Sequence, residues 1–107
     1  MPLLDEIAEL LNRPEDGADA PTLARVEATL TDGYAEALAL DAERWRIERR
    51  LGEVARDPGD GASAGELEQL AVRLTLAERE LARLRSLLRS LHDRARALRT
   101  AGKSPEN

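Results

Sequence analysis

Apolar residues recur at alternating spacings of three and four along most of the chain, the pattern of helices that each bury one stripe. One series runs Leu23, Val26, Leu30, Gly33, Ala37, Leu40, Arg44, Ile47, Leu51, Val54, and only Gly33 and Arg44 depart from it. A second runs Leu67, Leu70, Leu74, Ala77, Leu81, Leu84, Leu88, Leu91, Ala95, Leu98, and every member is apolar. A heptad pattern sustained this long predicts a coiled-coil-like pair of helices. A shorter stripe, Leu3, Leu4, Ile7, Leu10 and Leu11, comes first. A helix of about 11 residues is only ~16 Å long and marginal alone in water. It is therefore expected to dock through Leu3, Leu4, Ile7 and Leu10.

Two clusters of helix breakers separate these stripes. Pro14, Gly17 and Pro21 stand among Glu15, Asp16 and Asp19, and Pro58, Gly59, Asp60 and Gly61 follow Asp57. Fixed φ, missing donors and tolerance of positive φ make such clusters loops. The fold class expected is all-α. Residues 1–12 form a short amphipathic helix and 13–21 an acidic Pro/Gly linker. Residues 22–101 form a long antiparallel hairpin turning at 57–63, and 102–107 a frayed tail. Pro21 suits the first turn of the second helix, and Ser63-Ala64-Gly65-Glu66 has the spacing of a capping box.

Reversal at 57–63 aligns the two long stripes so that facing residue numbers total 121. Val54 then meets Leu67, Ile47 meets Leu74, Leu40 meets Leu81, Leu30 meets Leu91 and Leu23 meets Leu98. The weak positions meet complements: Gly33 faces Leu88, Ala37 faces Leu84, Val26 faces Ala95, and Arg44 faces Ala77. Large against small is how helical cores interdigitate, and Arg44 can lay its stem on the seam with its head in water. Charge agrees with this direction. Residues 22–43 carry a net -4 beside +4 on residues 78–99, and residues 44–56 carry +3 beside -1 on residues 65–77. The same register brings Glu43 toward Glu80, Asp41 toward Glu78, and His92 within reach of Glu27.

Composition narrows the chemistry. The chain of 107 residues has no Cys and no Phe, one Trp, one Tyr and one His, and a formal charge of -5. Disulfide scaffolds, zinc ribbons and thiol nucleophiles are excluded. His92 has Leu88, Arg89, Ala95 and Arg96 at helical neighbour positions, without the carboxylate that helical metal sites place three residues away. Residues 57–68 have the length of a calcium loop, but Gly59 and Gly61 occupy inner ligand positions. No metal, cofactor or catalytic residue is expected, and the chain reads as a non-enzyme. The first residues include Asp5, Glu6 and Glu9 rather than a basic leader, and no apolar run approaches ~18 residues. A cytoplasmic protein without membrane contact is expected.

Arg79, Arg83, Arg85, Arg89, Arg94, Arg96, Arg99 and Lys103 line the third segment. They suggest a nucleic-acid-associated regulator as the alternative function. Absent interleaved aromatics and the acidic chain weigh against it.

The favoured reading is a helical interaction or scaffolding module. Tyr34, Leu38 and Trp45 form an apolar strip off the seam on the second helix, and Leu76 and Leu87, with Val72 nearby, mark the opposite flank of the third. The short helix is expected to cover Tyr34 and Leu38. The other strip is left for a homodimer that completes a helical bundle, or for another protein partner.

Overall fold

The computed structural model describes residues 2–14, 17–56 and 62–102. Three helices account for nearly all of them: α1 (Pro2–Asn12), α2 (Leu23–Arg56) and α3 (Ala62–Gly102). There is no strand among the described residues. The short N-terminal helix is followed by a long antiparallel hairpin of α2 and α3, as the spacing of apolar residues predicts. No described helix is long and apolar enough to cross a membrane.

Local signals set the helix ends, with two departures from expectation. The Thr22 hydroxyl accepts from the Arg25 N–H at 3.1 Å, and the Thr22 carbonyl accepts from the Val26 N–H at 3.0 Å. Thr22 is therefore the cap, and Pro21 is buried just before it rather than in the first turn. α3 already begins at Ala62, so Ser63 lies inside the helix rather than at the cap position its spacing predicts. Glu66 accepts instead from Arg50 at 2.7 Å. The turn at 57–61 and the tail at 103–107 lie outside the described residues, and α3 itself runs through Gly102. In the linker Gly17 has φ of 94°, a conformation that glycine alone adopts cheaply. Its carbonyl accepts from the Ala20 N–H at 3.2 Å.

The chain divides into two compact units, one of residues 1–36 with 84–107, the other of residues 37–83. The first unit has three helical parts. Leu4, Ile7 and Leu10 of α1, Val26 and Leu30 of α2, and Leu84, Leu88, Leu91 and Ala95 of α3 are buried in it. Complete burial of Ile7, Val26, Leu84 and Leu91 contributes about 1.5–3 kcal/mol for each side chain. Gly33 lies against the Leu88 side chain, as the 121 register requires. The Arg99 guanidinium grips Glu27 Oε2 through Nη2 at 2.7 Å and Nε at 3.3 Å. This corrects the expected pairing of Glu27 with His92, which is exposed. Glu27 and Arg99 occupy matching flanks five places off the register, and the longer, forked arginine reaches where an imidazole does not.

The second unit has two helical parts. Its core is Ile47, Val54, Leu70 and Ala77, with Leu51, Leu67 and Leu74 packed against it and partly exposed. Two ion pairs cross from helix to helix: Arg73 to Glu43 at 2.9 Å and Arg50 to Glu66 at 2.7 Å. Both lie five places to the other side of the 121 register, which is the flanking geometry of an antiparallel pair. The like-charge neighbours expected at Glu43 and Asp41 are offset by arginines. Glu43 also accepts from Arg46 at 2.7 Å, and Asp41 accepts from Arg44 at 2.9 Å. Arg44 is only about one-third exposed, and its Nε is buried with no hydrogen-bond partner.

Candidate interaction surface

The position of α1 follows from what its ends need. A helix C-terminus leaves carbonyls without intrahelical donors. Arg94 of α3 supplies donors, to the Leu11 carbonyl at 3.0 Å and the Arg13 carbonyl at 3.4 Å. On the α2 side Glu6 accepts from Arg25 at 2.6 Å. Thr29, one turn on from Arg25, is buried, and its hydroxyl donates to the Arg25 carbonyl at 3.0 Å, so its burial leaves no donor unmet. α1 therefore lies over the flank marked by Thr29 and Arg94. Leu87, on the face of α3 that carries Arg94, is half-buried.

This corrects the expected docking site. Tyr34 in the first unit is exposed, and α1 covers the flank of Leu87 rather than that of Tyr34. Arg94 takes the Leu11 and Arg13 carbonyls at the C-terminus of α1, and Arg25 pairs with Glu6 in its middle, which together hold α1 on that flank. Of the four docking residues expected, Leu4, Ile7 and Leu10 are buried and Leu3 is half-buried.

The second unit carries four large apolar side chains that are more than half exposed. Leu38 is 72% and Trp45 65% exposed on α2, and Val72 is 55% and Leu76 57% exposed on α3. Leu38 and Trp45 are seven residues apart, so they share one face of α2; Val72 and Leu76, four apart, share one face of α3. A shallow depression beside Trp45 is lined by Arg46, Glu48 and Arg49. Another, of about 310 Å³, lies along α3 between Glu68, Ala71, Val72, Thr75, Leu76 and Arg79. Ala71 and Thr75 complete an apolar-and-small surface around Leu76 and Val72, the two residues of this face that the sequence already marks.

The arginines of α3 divide by role. Arg94 caps α1 and Arg99 pairs with Glu27. Arg79, Arg83, Arg89 and Arg96 are exposed and make no ion pair among the described residues. Lys103 lies outside the described residues. Among the titrating groups Glu43 stands out. Hydrogen bonds from Arg46 and then Arg73 hold its carboxyl below the usual carboxylate value. No group of three or more His, Cys, Asp or Glu side chains is placed to hold a metal among the described residues.

No protein-family model, curated protein or solved structure matches the chain.

Proposed function

We propose that the protein is a non-enzymatic helical interaction module that assembles with itself and acts through apolar side chains outside the hairpin seam. One observation supports this most. The second unit consists of two helical parts, and Leu38, Trp45, Val72 and Leu76 are each more than half exposed on it. A two-helix layer shields only one stripe of each helix. Exposed large apolar groups concentrated in this way mark surfaces that receive a partner. Trp and Tyr are favoured at such places because each has a large apolar body with a polar edge. Catalysis, by contrast, needs polar groups converging in a water-excluding cleft. Among the described residues the buried positions hold Leu, Ile, Val and Ala with Pro21 and Gly33, and Thr29 is the polar exception.

The alternative reading, a nucleic-acid-associated regulator, draws on the exposed Arg79, Arg83, Arg89 and Arg96. The net charge of -5 opposes it.

Sedimentation equilibrium from about 10 µM to about 1 mM tests the proposal, a range set by the weak affinities of small interfaces. A mass rising from 11.8 kDa toward twice that value is expected. A single 11.8 kDa species throughout, together with retention of DNA or RNA at low salt, would transfer support to the alternative.

A further inference from the structure

We infer that the outer face of α3 from Glu68 to Arg79 is the surface on which a second copy of this chain docks, antiparallel and about a two-fold axis. The inference rests on the self-assembling module proposed above and names its interface.

Glu68, Val72, Thr75 and Arg79 follow one another at steps of four, three and four, so they form one ridge of the helix. Ala71 and Leu76 flank it, and the six residues line one shallow depression of about 310 Å³. The depression begins with an acid and ends, about 16 Å along the axis, with a base. Neither Glu68 nor Arg79 has an ion-pair partner among the described residues. A two-fold axis through the middle of this stretch reverses its order in the second copy. Glu68 of each copy then meets Arg79 of the other, Val72 of each meets Thr75 of the other, and Leu76 of each meets Ala71 of the other. The surface is complementary to itself, which is what an isologous contact demands. A parallel in-register pairing would instead stack Glu68 on Glu68 and Arg79 on Arg79.

The centre of the stretch suits close approach. Ala71 and Thr75 are small, which lets two helix axes come within about 8–10 Å. The Thr75 hydroxyl already donates to the Ala71 carbonyl at 3.0 Å. Covering it removes no hydrogen bond and leaves no donor unmet. The face is short against the roughly 800 Å² per partner of a standard interface. The dimer is therefore weak, with a dissociation constant on the order of 10–100 µM.

Charge reversal tests this directly. Glu68→Arg and Arg79→Glu are each expected to weaken self-association about tenfold or more, because two attractive contacts become two repulsive ones. The double variant E68R/R79E restores both contacts and is expected to recover the wild-type constant. Mixing the two single variants is expected to give a heterodimer that neither forms with itself. Circular dichroism of each variant should match wild type, since both side chains are exposed. Wild-type dimers that ignore both reversals would overturn the assigned face and leave self-assembly standing. A wild type that stays monomeric to about 1 mM would remove self-assembly itself, and this interface with it.

Discussion

Gly33 packs so closely on Leu88 that a β-carbon at residue 33 would overlap Leu88 Cδ2. Both residues are buried in the first unit. A glycine inside a helix costs about 0.5–1 kcal/mol relative to alanine, so its place here depends on that contact. Gly33→Ala is expected to lower stability by about 1 kcal/mol, because the strain of overpacking, about 1–3 kcal/mol, exceeds the helix-propensity gain. In a Leu88→Ala background the same substitution should raise stability. Urea unfolding of the four variants reads the reversal of sign, and a Gly33→Ala protein as stable as wild type would place Leu88 elsewhere.

The seam pattern made this pair legible from spacing alone. Leu and Ala at steps of three and four define both buried stripes, and the 121 register follows from folding one stripe onto the other. The flank taken by α1 was not legible in the same way. It is decided by the Leu11 and Arg13 carbonyls meeting Arg94, and main-chain groups leave no mark in a residue pattern. The partner of Glu27 was missed for a related reason. Residues flanking a seam reach several places along the opposite helix, so side-chain length selects Arg99 over the nearer His92.

Arg44 interrupts the apolar series of α2, and its Nε is buried without a partner. An unmet buried donor costs about 1–3 kcal/mol, whereas its ion pair with Asp41, about one-third exposed on each side, contributes at most about 0.5 kcal/mol. Arg44→Met keeps the apolar stem and removes the donor. It is expected to raise the unfolding free energy by about 1 kcal/mol, read as a higher urea midpoint with an unchanged slope. A loss of stability would show that the Arg44–Asp41 pair outweighs the orphaned nitrogen.

Ile7 is fully buried at the centre of the α1 stripe. Ile7→Ala is expected to cost about 2–5 kcal/mol by lost transfer energy and the cavity left behind. The loss should be felt first as undocking of α1. Hydrogen exchange at amides of α1 is expected to accelerate well before exchange at Leu91 and Ala95. Uniform acceleration across all three helices would instead mean that α1 and the rest of its unit unfold together.

Glu43 titrates below the ordinary carboxylate value because Arg46 and Arg73 donate to its charged form. A carboxyl depressed in the folded state stabilises above its unfolded value near 4.5, and that contribution is lost as pH falls through the lower folded value. Carboxyl carbon NMR is expected to show Glu43 titrating below the ordinary value near 4.5. Glu43→Gln is expected to flatten the acid-unfolding profile between the unfolded value near 4.5 and the lower folded value. A Glu43 that titrates at or above 4.5 would break the proposed link between Arg46, Arg73 and acid stability.

The meeting of two copies along α3 can be read by a single engineered thiol, since the chain contains no cysteine of its own. Thr75 lies close to the inferred two-fold axis, on the ridge that joins Val72 to Arg79, whereas Trp45 lies on α2 in the same unit. Under mild oxidation at about 100 µM, a concentration chosen for a weak interface, Thr75→Cys is expected to give a disulfide-linked dimer of twice 11.8 kDa. Trp45→Cys should remain monomeric under the same conditions. A Thr75→Cys protein that stays monomeric while Trp45→Cys crosslinks would contradict the assignment and move the contact to α2.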